Sequence, residues 1–126
     1  MRAIDAGVLV RLIARDDAGQ AAAADLFVEK AAWVSVLALA EAVEVLRAVY
    51  HRDADALADA VEMLGNHKGL TLQDADAVAA AVDLFRSRPG LGFSDCLVLE
   101  VARKAGCLPL GTFDGDLGRM AGSQRL

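Results

Sequence analysis

The sequence predicts an α/β fold: a parallel sheet of four to five short strands with helices on both faces, forming one domain over residues 1–126. Three observations predict it. Apolar stretches of about three or four residues alternate with helical stretches of about 12 to 15, a pattern that calls for crossover connections and parallel strands. No linker, repeat or low-complexity tract beyond alanine-rich helices divides the chain. At 126 residues it is long enough to bury one core and too short for two.

The first strand, Arg2 to Asp5, stops on a carboxylate and turns through Gly7 into an apolar helix containing Val8, Leu9, Val10 and Leu12. Asp16 and Asp17 mark a turn, and the alanine-rich segment from Gly19 to Ala32 reads as a second helix. Trp33 to Ser35 is a brief strand. From Val36 to Tyr50 the chain is apolar nearly all round, the signature of a buried helix. Asp53 to Leu64 repeats Leu57, Ala60, Val61 and Leu64 at the spacing of one helical face. Leu70 to Leu72 is a strand, and Asp74 opens a helix with Ala75, Val78, Val82 and Phe85 on its stripe. After the loop Pro89 to Gly92, Phe93 starts a helix whose core face is Leu97, Val98, Val101, Ala102 and Ala105. Leu108 to Leu110 is the last clear strand, with Pro109 placed near its start because proline cannot donate to a ladder. A short helix after Leu117 and a candidate fifth strand at Gln124 to Leu126 complete the pattern.

Composition limits the function. Apolar residues make up 56% of the chain, yet no run approaches the roughly 20 needed to cross a bilayer. No basic-then-apolar leader is expected, since Asp5 interrupts the N-terminus at once. Cys96 and Cys107 then read as reduced thiols in a cytoplasmic protein. The formal charge of −5, from 13 basic and 18 acidic side chains, argues against holding nucleic acid by a broad positive field.

The acids carry the chemistry. An acid ending a strand of an open α/β sheet sits where ligands bind, so Asp5 is a candidate; it can equally cap the helix that follows. Glu41 and Glu44 lie in the most apolar helix, where an unpaired carboxylate is costly. Glu44 has Arg47 at i+3, which leaves Glu41 as the functional acid. Asp95 falls in the first turn of a helix and Asp114 follows the last clear strand. On a parallel layout Asp5, Glu41, Asp95 and Asp114 can approach one edge of the sheet. Clustered carboxylates raise one another's pKa unless a cation joins them, and Mg²⁺, which takes oxygen ligands and keeps several waters, suits them. Zinc does not, because His51 and His67 are out of ligand spacing with the cysteines. A metal in such a pocket can activate water against a phosphodiester, with Arg11 or Arg15 near the rim holding phosphates.

Ile4-Asp5 followed by Val8-Leu9-Val10-Arg11, Ser35 to Leu46 with Glu41, Phe93-Ser94-Asp95-Cys96-Leu97, and Thr112-Phe113-Asp114-Gly115-Asp116-Leu117 stand in an order that resembles the PIN-domain ribonucleases. In particular the chain looks like the toxins of VapBC-type toxin–antitoxin pairs, and the likeness spans essentially its whole length. The resemblance implies a metal-dependent endoribonuclease acting on RNA, with Asp5, Glu41, Asp95 and Asp114 binding Mg²⁺ or Mn²⁺. It further implies a small cognate antitoxin inserting near the active site, and a homodimer. Asp116 either contributes a ligand or caps the short helix, and Thr112 orients a ligand or a water. The chain departs from the family in having Ala6 and Gly7 where a hydroxyl and a polar residue usually follow the first Asp; such a loss can lower metal affinity or activity about 10- to 100-fold. Two other functions compete. A catalytically silent protein-binding module of the same fold would keep its acids as helix caps. A receiver-like phosphoacceptor would need a lysine after a late strand, and none follows Lys104.

Overall fold

Two of the strands end where a polar side chain begins to cap the next helix. In the computed structural model, which describes residues 1–126, β1 (Arg2–Ile4) gives way to Asp5, whose Oδ1 accepts from Val8 N at 3.1 Å. In the same way β2 (Ala32–Val34) gives way to Ser35, whose Oγ accepts from Ala38 N at 3.0 Å. Capping residues favour non-helical backbone while satisfying the orphan amides of the first turn. They therefore start α1 (Ala6–Ala14) and α3 (Val36–Ala48) directly on the strand ends.

The chain divides into two compact units, Met1–Ala75 and Asp76–Leu126. In the first, β1, β2 and β3 (Leu70–Leu72) form a parallel sheet in sequential order. Ile4 pairs with Val34 and Val34 with Leu72, so Asp5, Ser35 and Gln73 each follow an aligned strand end. The helix pairs α1 with α2 (Ala18–Val28), and α3 with α4 (Ala54–Gly65), fill the two crossovers, with Asp17 and Asp53 as further N-caps. Leu9, Leu39, Leu46, Leu64 and Val34 are fully buried at its centre.

The second unit holds α5 (Ala75–Ser87), which begins in the last residue of the first unit, α6 (Phe93–Lys104), and a two-stranded parallel ladder of β4 (Leu110–Thr112) with β5 (Ser123–Arg125). Phe85 meets Phe93 edge to face at 5.9 Å between centroids, and Lys104 Nζ reaches Asp76 Oδ1 at 2.6 Å. Between the strands, Leu117–Arg119 makes one turn of 3₁₀ helix. A Cβ on Gly118 would lie 2.8 Å from Cβ of Arg125, so only glycine lets this turn rest on β5.

The parallel α/β class holds, and several details differ from the sequence reading. The strands form two ladders rather than one. The fourth strand starts at Leu110, because Pro109, with no N–H to give, stays outside it. The helix from Val36 is not buried on all sides: Leu37, Glu41, Glu44 and Ala48 are exposed and lie at the spacing of a single helical face. On α6 the buried residues are Phe93, Cys96, Leu97 and Leu99, while Val98 is exposed. No helix is long and apolar enough to cross a membrane.

Candidate functional site

In the first unit the sheet's carboxyl edge carries Asp5, Ser35 and Gln73. Asp5 is exposed and its Oδ1 caps α1, so the capping role is real; Oδ2 is outside that bond. The sequence reading missed Gln73, whose Oε1 accepts from Val36 N at 2.9 Å while its own N–H donates to the Val34 carbonyl. Ser35 and Gln73 together satisfy two amides of the first turn of α3 and so fix the helix that carries Glu41. Substitution Ser35→Ala is expected to cost about 1 kcal/mol, read as a lower urea midpoint at unchanged slope. Glu41 is exposed one turn further on and has no ion pair or hydrogen bond, whereas Glu44 is held by Arg47 through two contacts. Glu41 therefore faces solvent and not the apolar interior that the helix's composition suggests.

Both arginines proposed to hold phosphates are engaged within the chain. Arg11 donates Nη1 to Asp16 at 2.9 Å and to the Tyr50 hydroxyl at 2.8 Å, and Nε to Gln20. Tyr50 in turn donates to Asp16 at 2.7 Å, which with the Arg11 charge keeps the Asp16 carboxyl below its ordinary range. Arg15 grips Asp25 with Nη1 and Nη2. These bonds leave Nη2 of Arg11, and on Arg15 Nε with one N–H of each Nη, for a ligand. Beside them, Asp5, Val8, Arg11, Gln20, Ala24 and Phe27 are among the residues lining an open groove of about 430 Å³.

In the second unit the charge of one predicted acid acts on another. Asp95, in the first turn of α6, is partly buried, and its carboxyl is raised first by that burial and then by the negative charge of Asp114. Neither acid has a basic partner. Asp114 is held in place by its neighbours: its N–H donates to Thr112 Oγ1 at 3.0 Å, and its Oδ1 accepts from Asp116 N at 2.8 Å and Leu117 N at 2.9 Å. Thr112 therefore orients the acid's own main chain, and Oδ2 of Asp114 remains outside these bonds. Asp116 is exposed, gives no side-chain cap to the short helix, and stands 3.8 Å from Arg119. Behind Asp95, the buried Cys96 thiol is pushed up to about 11 by burial and by the Asp95 charge, so it is no nucleophile near neutral pH. Cys107 is exposed, and both cysteines are free.

Within each unit taken by itself, no three His, Cys, Asp or Glu side chains gather as a metal site. The donor set of Asp95 and Asp114 is nonetheless all oxygen, which fits a hard divalent ion and not a soft one. No curated protein and no solved structure matches the chain. A family model does: that of the PIN domain matches residues 3–123, and the chain accordingly belongs to the PIN domain family, a nuclease-type fold.

Proposed function

We propose that the chain is a divalent-metal-dependent endoribonuclease, acting as one cytoplasmic domain over residues 1–126. In this reading Asp5, Glu41, Asp95 and Asp114 are the carboxylate ligands of Mg²⁺ or Mn²⁺, with Asp116 as a further candidate. The observation that carries it is the Asp95–Asp114 pair: two carboxylates close enough for one to raise the other, with no basic side chain paired to either. Such a pair is costly to keep ionised unless a cation completes it. PIN domains are generally metal-dependent nucleases, and membership of the family supports the same conclusion.

Bound metal would supply Lewis acidity and a water of lowered pKa for attack on a phosphodiester. The chain's own contribution is positioning. The amides of Asp116 and Leu117 fix the Asp114 carboxylate, and Thr112 fixes its main chain. The first turn of α6 fixes Asp95, and the Val8 amide turns Asp5 so that one oxygen caps the helix and the other is available. The order of the four acidic segments along a chain of this length supports the finer reading of a type II toxin, silenced by a small cognate antitoxin and forming a homodimer.

The test is cleavage of single-stranded RNA by the purified chain. Cleavage is expected with Mg²⁺ or Mn²⁺ and is expected to stop with chelator; equal cleavage in excess chelator would overturn the proposal. A second reading, a silent protein-binding module, is favoured by one observation: Asp5 and Asp114 already hold backbone amides and so have a structural reason to be acidic.

A further inference from the structure

We infer that the second unit grips single-stranded RNA through Arg88, Arg119 and Phe113, the two arginines on a phosphate and the ring against a base. The inference rests on the endoribonuclease reading for the identity of its ligand. Its geometry is independent of the metal.

Arg88, Gly90, Leu91, Asp116, Arg119 and Met120 line a cleft of about 190 Å³. Its two basic groups are among the least committed in the chain. Arg88 is exposed and its guanidinium has no ion pair or hydrogen bond; Arg119 touches only Asp116, at 3.8 Å with both side chains exposed. Arg11, Arg15, Arg47 and Arg103 are all held more closely by acids of their own units. A guanidinium with open donors matches phosphate oxygens in a planar fork.

The cleft's size selects the occupant. A volume of about 190 Å³ is a space roughly 7 Å across, narrower than a protein helix of about 10 Å diameter and on the scale of a single small group such as a phosphate. Leu91 and Met120 give it an apolar wall, and the cleft shares Asp116 with the turn that carries Asp114. On that same turn Phe113 is 81% exposed, directly before Asp114. An aromatic face left in water beside a candidate catalytic acid suits base stacking, which is worth most for unpaired bases. The two arginines of the cleft give an anionic substrate a local positive site on a chain whose net charge is −5.

The experiment is fluorescence anisotropy of a short labelled single-stranded RNA of mixed sequence, in chelator so that nothing is cut, across a salt series. Arg88→Ala and Arg119→Ala are each expected to weaken binding about tenfold and to flatten the dependence on log salt, by about 0.7 in the double variant, where the phosphate has lost both its cations. Phe113→Ala is expected to weaken it about tenfold with the salt slope unchanged, since stacking releases no counterions. Lys68→Ala, which removes an exposed charge in the first unit, should alter neither. All these side chains are exposed, and thermal melting confirms that each variant folds. Wild-type affinity and slope in both arginine variants would overturn the inference, as would an equal loss in Lys68→Ala or no binding by the unaltered chain. RNA binding that depends on Arg88 and Arg119 in a chain that does not cleave with metal upholds it while ending the nuclease reading.

Discussion

Asp95→Asn is expected to reduce metal-dependent RNA cleavage by at least about a hundredfold, more than the 10- to 100-fold typical of losing a group that merely supports a ligand. The same substitution should raise the melting temperature measured without metal. The two effects have one cause. Burial and the charge of Asp114 raise the Asp95 carboxyl, so the folded chain holds that proton more tightly than the unfolded chain does. A raised carboxyl contributes stability below the ordinary carboxylate range and loses it as pH rises through the folded value. At neutral pH the ionised Asp95 is therefore a burden on the fold, and asparagine removes it. The gain should shrink as pH falls toward the acid range, where the native carboxyl is itself protonated. Melting curves of both proteins across that range, alongside initial cleavage rates, check the pair of expectations. A variant that loses activity and also loses stability at neutral pH would mean that Asp95 serves the fold.

Adding Mg²⁺ or Mn²⁺ to the native chain is expected to stabilise it by mass action. At a free concentration about a hundred times the dissociation constant the gain is about 2.7 kcal/mol, roughly 10 °C in melting temperature for a chain of this size. In Asp114→Asn the gain should largely vanish while the metal-free melting temperature changes little, because the amide oxygen can still accept from the Asp116 and Leu117 amides. This comparison separates the two functional readings. A silent module, whose acids serve only as caps, would melt at the same temperature with and without divalent ions.

Much of the fold could be read from the chain because its signals are local. Leu70–Leu72 has the bounds expected of it, and Asp5, Asp17, Ser35 and Asp53 each cap a helix by a side chain reaching only three residues ahead. Other features depended on contacts across many residues. Tyr50 and Asp16 take up Arg11 from 39 and 5 positions away, and nothing near Arg11 in sequence announces the tyrosine. Gln73 gives no local sign of its role because it reaches back 37 positions to the start of α3. The exposed stripe of α3 is masked in the sequence by Leu37, an apolar residue that is 67% exposed and makes the helix look buried all round. Pro109 shifts the apparent strand start by two residues, since an apolar pair flanking a proline resembles a strand whether or not the ladder has begun. Of the candidate site, the sequence offers the four acids and their order, and in the structure the charge of Asp114 contributes to the raised Asp95 carboxyl.

The approach of Gly118 to Arg125 ties the chain's last segment to its chemistry. The atoms that a side chain at 118 would strike are Cα and Cβ of Arg125, which cannot swing aside as a flexible tip could, while Leu126 donates its amide to Thr112 and rests its side chain on Gly111. The C-terminal residues thus behave as a splint along the Thr112–Leu117 bend, and whatever pulls on that end reaches the Asp114 carboxylate with little slack between them.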